Sequence, residues 1–176
     1  KYTKAREQLV KAKERFSQIS SDNLLKQKQI DIAIGATDFF EGGKFDNDLM
    51  LRDAVLYFRS NIDKSEEHKK WYAVSLNVLA LTLQRDTKKA DETEKLLREA
   101  LQYGLTLQGQ DRWVLINIFN NLASIPSTKS EEDIQLYEAA IKEANTLSNK
   151  PRSENGVMYL NLGMLYKDQK KYAEAK

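Results

Sequence analysis

Gly156-Val157-Met158-Tyr159-Leu160-Asn161-Leu162-Gly163-Met164-Leu165-Tyr166 holds, at Leu162-Gly163, a large aliphatic residue followed at once by a small one within an apolar helical stretch. The same kind of pair stands at Ile34-Gly35, Leu79-Ala80 and Leu122-Ala123, so the four are spaced by 45, 43 and 40 residues. A second series lies between them, a bulky residue three ahead of an alanine: Leu9/Ala12, Leu51/Ala54, Leu97/Ala100 and Ile141/Ala144. Its alanines are 42, 46 and 44 apart. Two interleaved series with one shared period mean two helices per repeating unit. The chemistry of the pair agrees. A small residue lets two helices approach closely, while the large one beside it fills the groove of its neighbour. A single hairpin would leave an apolar face in water, and stacking the next hairpin on it buries that face.

Composition points the same way. The 176 residues include only 7 glycines and 2 prolines, too few for the many tight turns of a sandwich or barrel. Hydrophobic residues at 41% and charged residues at 31% fit a folded helical chain and not a disordered one. Capping and breaking signals then give a helix map. Helices are expected over about 2–19, 23–41 (ended by Gly42-Gly43), 45–61, 66–85, 88–107 (broken by Gly109), from Asp111 to near Pro126, from Ser130 to near Asn149, and over 153–168, with a ninth opening at Tyr172. Ser65 is placed to cap the fourth, whose first turn carries Glu66 and Glu67. Ser130, three before Asp133, has the spacing of a capping box without its usual Glu or Gln.

Tyr159, Leu162, Gly163 and Tyr166, followed by Tyr172 and Ala175, fall at the spacings of a tetratricopeptide repeat, which this stretch resembles. Lys170 stands where that family has a turn glycine. Tyr2-x-x-Ala5-x-x-x-Leu9-x-x-Ala12 is similar to the second helix of the same repeat. Between these ends the likeness is degenerate, and the period exceeds the 34 residues of the standard unit. Longer units similar to those of kinesin light chains have about this period, and Asn120-Asn121-Leu122-Ala123 looks like their first helix. Period alone leaves HEAT-like or armadillo-like hairpins open. The expectation is an all-α, right-handed superhelical solenoid of antiparallel hairpins, a single array over 1–176 and a piece of a larger protein.

The search for chemistry returns little. Cysteine is absent and His68 is the only histidine, so a metal or catalytic set lacks partners, and His68 is expected to be a solvated surface residue. Gly42-Gly43-Lys44 lacks the earlier glycine and the following Ser or Thr of a phosphate loop. Asp46-Asn47-Asp48 lacks the central glycine and closing glutamate of a calcium loop. No enzyme activity, cofactor or metal is expected. The 28 basic and 26 acidic residues are spread along the chain, which argues against nucleic acid, and no apolar run suffices to cross a membrane. Trp71, Trp113, Tyr72, Phe119 and Phe58 sit in apolar helical patterns and are expected in the core; Phe39 to Phe45 could line a pocket, packing of a turn being the plainer account.

Asparagines in first helices need a reason, because Asn is a mediocre helix former. The tetratricopeptide resemblance implies that first helices line a concave face and that Asn77, Asn117 and Asn120 fall at ligand-touching positions, with Gln84 and Ser124 on the same strip. It implies that such amides pair with the backbone of an extended peptide. Bridging between hairpins is the competing role, and Asn161 is read as structural. A carboxylate clamp would need Lys or Arg where Val74, Asn77, Asn117 and Asn120 stand. The expected partner is a protein or peptide, with end-to-end self-association of the chain through 1–20 or 156–176; the alternative is a structural spacer or oligomerisation module without a ligand.

Overall fold

A computed structural model describes residues 2–19, 23–42, 48–125, 130–147 and 153–168. Those residues form eight α-helices and no strand: α1 (Tyr2–Ile19), α2 (Leu24–Glu41), α3 (Asp48–Ser60), α4 (Glu66–Leu83), α5 (Ala90–Gly104), α6 (Trp113–Ala123), α7 (Ser130–Leu147) and α8 (Ser153–Asp168). Short 3₁₀ turns at Ile62–Lys64, Thr87–Lys89 and Gly109–Arg112 connect some of them. The expected ninth helix from Tyr172, the Lys170 turn, Gly43-Lys44, Phe45 and Asp46-Asn47 lie outside the described residues.

The helix ends have local causes. Ser65 is extended (φ −169°, ψ 164°) and its side chain accepts from the His68 N–H at 3.3 Å, which satisfies one of the free donors at the start of α4. Gly42 ends α2 in the left-handed conformation, φ 72°, with its N–H turned back to the Asp38 and Phe39 carbonyls. The fifth helix stops at Gly104, earlier than Gly109, and continues through irregular residues into the 3₁₀ turn.

Each helix packs on its neighbours in sequence, and first helices also meet next first helices: α2 on α4, and α4 on α6. The interior members of both predicted series sit at these contacts, while Leu9, Ala12, Leu162 and Gly163 are half-buried. Leu51, Ala54, Leu79, Ala80, Leu97 and Ala100 are fully buried, with Leu122, Ile141 and Ala144 close behind. Gly35 shows why the small member must be small. A Cβ there would stand 2.7 Å from Leu51 Cδ2, so the Leu51 side chain of α3 rests against α2 where a larger residue would force it to shift. Two apolar clusters result, one from α2 to α6 and one joining α6, α7 and α8.

Polar bonds repeat with the sequence period. On the second helices Arg52 reaches Glu92 at 2.7 Å, Arg59 reaches Glu99 at 3.4 Å and Arg98 reaches Glu132 at 2.8 Å. Lys70 pairs with Asp111 at 3.1 Å and Lys89 with Asp48 at 2.8 Å. Most of these partners lie 40 or 41 residues apart, so they join corresponding regions of successive hairpins. Tyr72 adds an internal tie. Its hydroxyl donates to Glu99 at 2.6 Å, and burial, reinforced by that carboxylate, pushes its pKa well above the ordinary phenol value.

The first hairpin is built differently. Arg6 pairs with Asp38 at 2.6 Å and Lys13 with Asp31, which sets two basic residues of α1 against two acids of the antiparallel α2, seven residues apart on each helix. Asp31 and Asp38 are 2% and 1% exposed. Lys28 extends the set, contacting Asp31 and pairing with Asp53 of α3.

Candidate functional site

The strip expected to hold a ligand runs across α4 and α6. Two cross-helix bonds fix how those helices lie together. Gln84 Nε2 donates to Ser124 Oγ at 3.0 Å, and Asn121 Nδ2 donates to Asn77 Oδ1 at 2.8 Å. Ser124 in turn donates to the Asn121 carbonyl at 2.7 Å, the ordinary way a hydroxyl settles at a helix end. The structure therefore brings three of the strip residues, Asn77, Gln84 and Ser124, together with Asn121, to the seam between hairpins, the two side-chain bonds being linked through the Asn121 carbonyl.

Asn77 departs from the ligand-touching expectation. It is 7% exposed and its oxygen is engaged with Asn121, because α4 and α6 approach closely enough to enclose it. An amide lost in such a place must be paired, and the partner one period away provides the pair. Its role is to bridge hairpins. Asn121, which sequence reasoning left without a separate role, is the other half of the bridge. Its signal was available in the Asn120-Asn121 doublet, but nothing in a doublet says which member turns inward.

The remaining strip residues face outward to different degrees. Asn117 is exposed. Asn120 is half-buried, and its Oδ1 is enclosed without a hydrogen-bond partner. Gln84 and Ser124 are accessible at the edge of their shared bond. Asn161 donates to the Tyr137 hydroxyl at 3.1 Å, holding α8 to α7, in line with a structural role.

Aromatic residues divide. Phe58 and Tyr72 are core, Trp71 stacks on Phe58 with ring centroids 6.5 Å apart, and Phe119 is half-buried against the second cluster. Trp113 is a correction: it opens α6 largely exposed. Phe39 packs under the Arg85 guanidinium, 4.5 Å from the ring centroid, and its carbonyl accepts from Arg85, which joins the end of α2 to the end of α4. Phe40 stacks on Tyr2 at 5.6 Å. His68 also differs from expectation. It is half-buried, with Tyr57 and Phe58 rings near it and Nδ1 2.8 Å from Ser65 Oγ.

Among the described residues no group of three or more His, Asp or Glu side chains gathers as a metal site would require. No described helix is long and apolar enough to cross a membrane. Exposed apolar residues on α8, Leu160 at 64% and Met164 at 51%, continue the set of large side chains offered to solvent on a first helix. No protein-family profile matches the chain, and no curated protein is significantly similar to it.

Proposed function

We propose that the chain is a tetratricopeptide-like array, coiled as a right-handed superhelix, and that it is a scaffold which binds an extended segment of another protein along its first helices. The observation that carries this reading is the Gln84–Ser124 bond, which makes the outer polar edges of α4 and α6 one continuous strip. Asn120 and Asn117 lie four and seven residues before Ser124 on the same helix, and Leu160 and Met164 of α8 supply apolar surface of the kind that anchors a ligand. An extended peptide offers amides and carbonyls at regular spacing, and carboxamide side chains both donate and accept. Each such bond contributes about 0.5–1.5 kcal/mol net, so affinity would need several together with an apolar anchor.

A displayed library of random peptides, panned on the protein and then on a Gln84→Ala, Asn117→Ala, Ser124→Ala variant, tests the proposal. Enriched peptides should bind the parent and lose at least tenfold in affinity for the variant, about 1.4 kcal/mol, while helicity is unchanged. Equal binding to both would place the ligand elsewhere.

One observation favours the spacer reading instead. Asn77, Asn121, Gln84 and Ser124 already bond to one another, so part of the polar strip is engaged in holding hairpins together. Panning that enriches no peptide on the parent would decide for that reading.

A further inference from the structure

Trp113, the first residue of α6, has a side chain left 43% exposed on a backbone that is tied down from two sides. Asp111 pairs with Lys70 of α4 at 3.1 Å, and Arg112 holds Glu143 of α7 through two bonds of 2.6 and 2.8 Å. These ties fix the entry of α6, so the helix that carries the indole is set before any partner arrives. A large side chain left open on a fixed backbone anchors a partner with little ordering cost. Its ring N–H makes no hydrogen bond among the described residues.

Trp113, Asn117, Asn120 and Ser124 follow one another at intervals of four, three and four residues, which sets them along one face of α6. On one side of that face Asn121 turns to Asn77 of α4, and on the other Ile116 and Phe119 pack on the second apolar cluster. None of the four carries a charge. What they offer is also biased toward donation. An indole N–H only donates. Asn120 has its Oδ1 enclosed, so its Nδ2 hydrogens are the part left to a partner. Ser124 already donates to the Asn121 carbonyl and accepts from Gln84.

A segment of ordinary sequence brings an N–H with every carbonyl. Proline brings the carbonyl alone, holds the polyproline II conformation without internal hydrogen bonds, and presents an apolar ring to an aromatic surface. One turn of polyproline II advances about 9 Å. Trp113 and Asn120 are separated by about 10.5 Å along the helix axis, at about 1.5 Å per residue. We propose that the open face of α6 seats an uncharged, proline-rich segment of another protein in the polyproline II conformation. One proline ring lies on the Trp113 indole, and carbonyls one turn apart accept from Trp113 Nε1 and Asn120 Nδ2. This rests on the extended-segment reading above and specifies its ligand, with Trp113 as the residue that selects proline.

Solution NMR of the nitrogen-15-labelled protein tests the contact. The chain has two tryptophans, so the indole N–H signal of Trp113 is the one missing from a Trp113→Phe protein. Decaproline is titrated in, with an alternating Ser-Ala peptide of equal length as the control. Decaproline should move the Trp113 indole and Asn120 side-chain signals while leaving Trp71 in place, and should bind at least about tenfold more tightly than the control. Asn120→Asp puts an acceptor where the donor stood and should weaken decaproline binding by about as much, at unchanged helicity. Decaproline that binds no more tightly than the control overturns the proposal, and so does decaproline that binds without moving the Trp113 and Asn120 signals. If neither peptide binds, the proposal falls, and the panned peptides described above decide the rest. Enriched peptides that move the Asn117 signal would leave the extended-segment reading standing, whereas a panning that enriches none would remove both.

Discussion

Helices α4 and α1 are both 18 residues long, yet they are held by opposite means. From Tyr72 to Ala80 every residue of α4 is buried, because α2, α3, α5 and α6 enclose it. No residue of α1 whose burial is described is fully buried, and its docking relies on Arg6 and Lys13 meeting two enclosed aspartates of α2. The difference teaches that position in the stack decides how a helix is stabilised. A central helix gains from apolar burial on several sides, at about 25 cal/mol per Å². A flanking helix has one principal neighbour and depends on fewer, more specific contacts.

The widest gap should appear on truncating an apolar residue in each region. Phe58→Ala, which empties a fully buried place against Trp71, should cost about 3–5 kcal/mol in urea denaturation. Leu9→Ala on half-buried α1 should cost under about 1 kcal/mol, as expected of a site that loses little enclosed area. Equal costs would remove the distinction between centre and flank.

Glycines sharpen the contrast next. Gly35→Ala forces a methyl to 2.7 Å from Leu51, itself without room to retreat, so the clash should outweigh the gain in helix propensity and destabilise by about 1–3 kcal/mol. Gly156→Ala on α8 meets nothing within 4 Å and should stabilise by up to about 1 kcal/mol. A neutral Gly35→Ala would mean that α2 and α3 are free to separate.

The amide bridge comes third. Asn77→Ala alone should cost about 1–3 kcal/mol, because it leaves the buried Asn121 amide unpaired. Adding Asn121→Ala should recover part of that loss, and thermal melts of the two variants measure the recovery. A double variant worse than the sum would show that the pair is more than a local bond.

Ionic strength gives the smallest effect and the most regional one. Raising salt from about 0.05 M to about 1 M shortens the screening length to about 3 Å, and should speed amide hydrogen exchange in α1 several-fold while leaving the centre of α4 unchanged. An α1 indifferent to salt would show that its apolar residues, not its charges, hold it.

Much of the architecture was legible in the order of residues. The Leu-Ala and Leu-Gly pairs mark first helices at Ile34, Leu79, Leu122 and Leu162, and the Ser65 and Gly42 signals set two helix ends, because caps and close contacts depend on side-chain chemistry that a sequence displays openly. Burial was less legible. Helical periodicity distinguishes an inner face from an outer one, and α4 has almost no outer face over two turns. The candidate strip was half-readable for a related reason. Asn77 and Asn120 fall at one repeat position, but which one is enclosed depends on how closely successive first helices approach. Asp31 and Asp38 gave no warning of burial, since their partners lie 18 and 32 residues away on another helix.

The pattern of principal contacts among the described helices, each packed mainly on those one or two places along the chain, also governs how the molecule would yield to force. A globule pulled by its ends gives way at once, because every part leans on every other. Here tension drawn across the described helices would free hairpins one by one. Releasing a unit of about 40 residues would lengthen the chain by roughly 140 Å at about 3.5 Å per residue. The molecule would behave as a strap that pays out in steps, each refolding against the unit still in place when the load is relaxed.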